Sequence, residues 1–185
     1  MAKGGKKEIV PSGSKTKPML GITPFGMVHT VISIVAVATG LISLIRHGAI
    51  SFNNGMGKTY VYTTILTCVT GFFIFHHGGF GKPHILGIIT LIVLGIALVA
   101  GEKIRLFGRA SPYVEVVSYT MTFFFHLIPA ITETTTRLPE GAPLASGPDD
   151  PLIQKAVGIC FVLFLAGATW QVIRVRNKLK ARLIV

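Results

Sequence analysis

The sequence predicts an all-α membrane protein, a polytopic transmembrane helix bundle with about five membrane-spanning helices. Half of its 185 residues are hydrophobic and only 14% are charged, whereas about a quarter of the residues in a soluble domain are charged. The mean hydropathy is +0.65. The apolar residues also gather in runs of about 20, the length that a helix needs to cross a bilayer. Together these observations exclude an ordinary soluble domain.

Five apolar runs give the order of the predicted spans, near residues 26–46, 58–77, 83–101, 112–134 and 153–173. Each run is about twice as long as a membrane β-strand, and backbone groups in lipid must bond within their own segment, so we expect helices. Pro83 and Pro112 suit the first turn of a helix, and Pro129 predicts a kink. The domain organisation follows: a basic flexible tail over 1–25, the bundle over 26–174 and a basic tail over 175–185.

The formal net charge of +11, from 18 Lys and Arg against 7 Asp and Glu, indicates an orientation in the membrane. No motif of a nucleic-acid-binding fold is present, so the expected partner of these cations is a bilayer with anionic lipid. We call the side where the first span begins side X, and the other side Y. Side Y carries ten basic residues and side X seven. This predicts a multi-pass protein of the cell inner membrane with a cytoplasmic C-terminus on side Y.

Polar side chains converge in the half of the bundle nearest side X. Five of the six histidines fall there once the spans alternate in direction. On the fourth span, a polar stripe with steps of 4, 3, 4 and 7 residues marks one helix face, and its members are Glu115, Tyr119, Thr122, His126 and Glu133. A polar stripe on a membrane helix should face the bundle interior, because contact with lipid is costly.

This convergence predicts a histidine-rich site that binds haem b or a single transition-metal ion in electron transfer. Haem b needs two axial imidazoles on facing helices, and the candidate haem residues are His29, His77, His84 and His126. A metal ion needs three or four ligands, and the candidates are His29, His76, His77, His84, His126 and Glu133. Only one of two adjacent histidines on a helix can join the site. A quinone or proton site would need less: one imidazole, a carboxylate and an apolar slot.

Each of these residues also has a structural interpretation. Histidines near a membrane face can reach headgroups or water, His126 can bond a neighbouring helix, and Glu133 can pair with Arg137 one turn later. Tyr60, with Tyr113 and Trp170, is typical of an interfacial aromatic belt. No HExxH or nucleophile motif is present, so no catalytic residue is assigned.

Over about 29–139 the chain resembles a group of uncharacterised bacterial inner-membrane proteins, through "MVHTVISIVAVATGLISLIRHG", "GKTYVYTTILTCVTGFF" and "SYTMTFFFHLIPAITETTTRLPEG". In shape it is also similar to haem-b membrane proteins of the cytochrome b561 kind. That resemblance implies haem and electron transport, although histidines here gather at one face and not at both. The alternative function is a non-catalytic accessory subunit of a larger respiratory-type membrane complex. The expected partners are lipid, other subunits of such a complex or further copies of this chain.

Overall fold

A computed structural model describes residues 23–74, 79–101 and 106–181, and all of their regular structure is helical. The five helices are α1 (Pro24–His47), α2 (Gly55–Gly71), α3 (Lys82–Gly101), α4 (Ser111–Arg137) and α5 (Pro151–Ala181). A single 3₁₀ turn, Gly108–Ala110, precedes α4. The described residues contain no β-strand, so the prediction of an all-α helix bundle is confirmed.

Four of these helices, α1, α3, α4 and α5, are long and apolar enough to cross a membrane. The remaining helix, α2, has 17 residues, about 26 Å at 1.5 Å per residue, against a hydrocarbon core of about 30 Å. The predicted second span over 58–77 was therefore misplaced. The helix begins earlier because the Asn54 side chain accepts the Gly57 N–H at 2.8 Å, and it ends at Gly71, where the following N–H groups switch to carbonyls three residues back.

Successive helices alternate in direction. His29 near the start of α1 bonds Thr70 near the end of α2, so these two helices are antiparallel. Tyr60 on α2 bonds Thr122 on α4, and the residues four positions later on each helix also bond each other, so α2 and α4 are parallel. By this alternation α1, α3 and α5 end on side Y, whereas α2 and α4 end on side X.

Helix α4 lies at the centre of the bundle and packs against two apolar clusters. Phe123 belongs to the first cluster, which also contains buried side chains from α2, from α3 and from the loop between α1 and α2. Phe124 belongs to the second, with Phe164 and Ala168 of α5. The helix runs through Pro129 as one element. Of the four long helices, α4 has the largest share of buried residues in its apolar segment. It is therefore the helix best placed to bury a polar stripe.

Residues 175–181 of the basic C-terminal tail are part of α5. Helix α5 has 31 residues, about 46 Å, which exceeds the hydrocarbon core by about ten residues. The predicted fifth span over 153–173 therefore continues in one piece through residues 175–181, and the helix is longer than a bilayer core requires.

Asp150 caps the start of α5 at the end of the long side-X loop. Its carboxylate accepts the Ser146 and Leu152 N–H groups at 2.9 Å each, and the Ser146 hydroxyl at 3.0 Å. These donors favour the ionised form, so the pKa of the Asp150 carboxyl lies below the ordinary aspartate value. A carboxylate at this position also suits the positive end of the helix dipole.

We expect Asp150→Ala to lower the melting temperature of the purified protein at pH 7. The stabilisation by Asp150 is fully present above the unfolded-state pKa of about 3.9 and is lost as the pH falls through the lower folded-state pKa. The difference in melting temperature should therefore shrink in that acidic range. Asp149→Ala is the control, because its carboxylate pairs with Lys82 in an exposed ion pair that stabilises little. A difference that stays constant on acidification would contradict this role.

Candidate functional site

The strongest site in the described residues is a line of polar side chains between α2 and α4, buried except at the half-buried Glu115, and here called the polar seam. Its members are Tyr60, Thr64, Glu115, Tyr119, Thr122 and His126. The Tyr60 hydroxyl lies 2.8 Å from the Thr122 hydroxyl, and the Thr64 hydroxyl lies 3.0 Å from Nε2 of His126. Each helix contributes two residues four positions apart, because side chains at that spacing share one face. Parallel helices in register then bring the two pairs together.

The seam has a defined hydrogen-bond direction at its centre. A threonine hydroxyl has one proton to donate, and Thr122 donates it to the Tyr119 carbonyl at 2.8 Å. The Tyr60 hydroxyl is therefore the donor to Thr122. Thr64 also lies beside the Tyr60 hydroxyl, so Tyr60 is flanked by both threonines. The result is a continuous row of hydroxyls that ends at an imidazole.

His126 is enclosed at the side-X end of this row. His126 is 6% exposed, and its ring packs edge-on against the Tyr60 ring, with the two ring centroids 6.0 Å apart. The structural interpretation of His126, a hydrogen bond to a neighbouring helix, is thus present as the bond to Thr64. That bond also connects the imidazole to the rest of the seam, so the two interpretations do not exclude each other.

Beyond His126, the polar groups continue toward side X. His29 on α1 is half-buried, and its Nδ1 lies 2.8 Å from the Thr70 hydroxyl. It is near enough to interact electrostatically with His126 and with Glu133. Glu133 itself is exposed and forms an ion pair with Arg137, as their spacing predicts. The electrostatic interactions of His29 thus extend from the buried imidazole to a carboxylate at the surface of the bundle.

Toward side Y, the seam ends at Glu115. Its carboxylate accepts the Ser51 hydroxyl at 3.3 Å, and Ser51 belongs to the loop between α1 and α2. A Cβ atom at Gly101 would stand 3.0 Å from the same carboxylate, so glycine there leaves room for it. Tyr119, one turn after Glu115, is fully buried, and its hydroxyl has no hydrogen-bond partner among the described residues.

His84 lies in a different setting from His126. Its Nδ1 accepts the Gly81 N–H at 3.1 Å, and its ring stacks on Phe80 with centroids 5.2 Å apart. These contacts place it at the start of α3, where it caps the first turn. His76 and His77, the other two predicted ligands, lie outside the described residues.

The described residues do not provide the ligand set that the metal hypothesis requires. No three of their His, Cys, Asp or Glu side chains converge closely enough to hold an ion. Nε2 of His126 is hydrogen-bonded to Thr64, and Nδ1 of His29 is hydrogen-bonded to Thr70. Each of these hydrogen bonds would be lost if the same nitrogen bound iron. Within the described part of the chain, no three of these residues form a metal site. Haem binding stays a prediction, because each imidazole has a second ring nitrogen.

Two members of the seam, Tyr60 and Thr64, were not predicted from the sequence as site residues. The assignment of Tyr60 to the interfacial aromatic belt was wrong, since Tyr60 is fully buried. Its hydroxyl is satisfied by Thr122 across the helix interface, which is how tyrosine is tolerated in a core. The available signal was the spacing of four between Tyr60 and Thr64, equal to the spacing on α4.

The fold and site together define a class: an all-helical bundle with four apolar helices of membrane-spanning length and a buried Tyr–Thr–His seam. The chain matches no protein-family model, no curated protein and no solved structure. Its function must therefore be argued from the seam.

Proposed function

We propose that this protein is a multi-pass inner-membrane protein that conducts protons along the polar seam, with His126 as the group that binds and releases them. The observation that carries the proposal is the pair of bonds from Tyr60 to Thr122 and from Thr64 to His126, enclosed in an apolar bundle. Hydroxyl groups both donate and accept hydrogen bonds, and imidazole can bind and release a proton through its two ring nitrogens. Ionisable groups inside a membrane protein commonly mark such relays.

The path has a carboxylate toward each side. Glu115, which accepts the Ser51 hydroxyl, lies at the side-Y end, and Glu133, which interacts electrostatically with His29, lies at the side-X end. Hydroxyl protons can rotate, so the bond between Tyr60 and Thr122 can reverse its donor as a proton passes. The interval between Glu115 and Thr122 contains the fully buried Tyr119 hydroxyl, which lacks a partner among the described residues. Buried hydroxyls of this kind ordinarily bond a water molecule, and the proposed path requires one at this position. The excess of cations on side Y supports a cytoplasmic location for that side.

Proton flux into liposomes tests this function. The purified protein is reconstituted with an internal pH dye, and a potassium diffusion potential drives the flux. We expect Tyr60→Phe to reduce the flux about tenfold or more, since the central hydroxyl is lost while the ring is kept. Tyr62→Phe is the matched control: it removes the same hydroxyl two residues away, from a side chain that is 61% exposed, and should leave the flux unchanged.

Equal flux through Tyr60→Phe and wild type, or flux no greater than through empty liposomes, would overturn the proposal. The same preparation also separates it from the electron-transfer hypothesis. Haem b would give a Soret absorption band, and a resident metal would appear in stoichiometric amount by elemental analysis. A conducting protein without either signal favours the proton relay, whereas a haem or metal signal with no flux favours electron transfer.

A further inference from the structure

A shallow groove on the side-Y end of α5 has the layout of a lipid site. It is open to the outside, has a volume of about 400 Å³ and is separate from the polar seam. Its lining residues recur at helical spacing along one face of α5, and they are Trp170, Ile173, Arg174, Asn177, Lys178 and Ala181. We call this the Trp170 groove. The groove begins about 20 residues after the start of α5. About 20 helical residues span a hydrocarbon core, so we expect the groove to lie at the level where the core ends.

The chemistry of the groove changes along the helix in the order that a phospholipid requires. Trp170 and Ile173, nearest the membrane, are 53% and 52% exposed and offer an apolar wall. Arg174, Asn177 and Lys178 follow on the water side and offer two cations and an amide. Acyl chain and glycerol would lie against the first part, and a phosphate against the second.

The first cation of the groove is held in place. The Arg174 guanidinium carbon lies 5.2 Å from the centre of the Trp170 ring, and Nη1 donates to the His47 carbonyl at 2.9 Å. Gly48, with φ at +71°, leaves the space that Arg174 occupies, since a Cβ there would stand 1.8 Å from Nη1. A cation fixed in this way loses little further freedom when it binds an anion.

Charge complementarity identifies the occupant. From Leu152 to Ala181 the chain has no Asp or Glu, and the side-Y end of α5 adds Arg176 and Lys180 to the two cations of the groove. Nothing acidic on this helix competes for them. We propose that the Trp170 groove binds the phosphate headgroup of an anionic phospholipid, with its acyl region against Trp170 and Ile173.

Trp170 is the only tryptophan in the chain, so its fluorescence reports directly from the groove. The full-length protein in an uncharged detergent is titrated with phosphatidylglycerol, phosphatidylcholine and inorganic phosphate. We expect a saturable change with phosphatidylglycerol only. Lys178→Gln should raise the half-saturating concentration of phosphatidylglycerol about tenfold, which is the loss of affinity typical of one charge-assisted hydrogen bond. Lys180→Gln, on the same helix but outside the groove, should change it less than about twofold.

Three outcomes would overturn the proposal. An equal response to phosphatidylcholine would mean that only the acyl chains are recognised. An equal response to inorganic phosphate would make the ligand a free anion and not a lipid. Equal weakening by Lys178→Gln and Lys180→Gln would show general attraction by the basic helix. Both lysines are exposed, so neither variant is expected to unfold the protein.

Discussion

Replacing His126 by alanine is expected to reduce proton flux more than any other single change in the seam, by about a hundredfold. His126 is the imidazole bonded to the Thr64 hydroxyl of the polar seam, and an imidazole can hold an extra proton, which the threonine and tyrosine hydroxyls of the row cannot do. Without the His126 imidazole, the row of hydroxyls would have no group at its side-X end that can accept the proton. The measurement is dye-reported flux in liposomes at matched protein content.

A structural role for His126 would also make this variant inactive, so the design includes a chemical rescue. Free imidazole added to the His126→Ala protein should restore part of the flux, because the truncation leaves space for a ring beside Thr64. His47→Ala is the matched control, since His47 is exposed at the end of α1 and lies outside the seam. Flux that stays at wild-type level in His126→Ala, or that falls equally in His47→Ala, would contradict the assignment of His126 as the proton carrier.

The α4 half of the seam was predictable from the sequence, whereas the α2 half was not. On α4, steps of 4, 3 and 4 residues placed Glu115, Tyr119, Thr122 and His126 on one face, and few other polar residues compete with them. On α2, threonines occur on several faces: the half-buried Thr63 bonds a backbone carbonyl of its own helix, whereas Thr64 is fully buried. Only the packing of the two helices separates these neighbours.

Helix ends were the other feature that the sequence left open. Hydropathy extends the second span to residue 77, but α2 ends at Gly71 because tertiary contacts decide the termination. The Phe72 ring packs at the α3 glycine Gly87, where a Cβ would stand 2.9 Å from it. Tertiary contacts also decide whether the predicted ligand residues come together, and the sequence does not show these contacts. The sequence places His29, His84 and His126 in one half of the membrane, yet the structure gives each a separate hydrogen-bond partner.

Gly57→Ala is expected to have the largest effect on folding among the glycine positions of α2. Gly57 is buried in the first turn of α2, and a Cβ atom there would stand 1.8 Å from the Ser51 carbonyl oxygen and 2.6 Å from its carbon. Both are backbone atoms, so the loop before α2 must move. We expect a loss of about 1–3 kcal/mol in the free energy of unfolding, measured by denaturation of the purified protein in detergent.

Gly55→Ala is the matched control, in the same "NNGMGK" segment. A Cβ at Gly55 meets nothing within 4 Å, so its effect should be under about 1 kcal/mol, with either sign. Equal destabilisation by the two substitutions would show that the cost comes from backbone propensity and not from contact with Ser51.

The same substitution also tests whether the loop serves the seam. Ser51 donates its hydroxyl to Glu115 at 3.3 Å, so moving the loop in Gly57→Ala should withdraw this contact from the side-Y end of the path. Ser51→Ala removes the hydroxyl and leaves the backbone in place. If Glu115 receives protons with help from Ser51, both variants lower the flux, and only Gly57→Ala lowers stability by more than about 1 kcal/mol. Unchanged flux in Ser51→Ala would show that Glu115 needs no partner from the loop, and the destabilisation by Gly57→Ala would then be the only consequence of that contact.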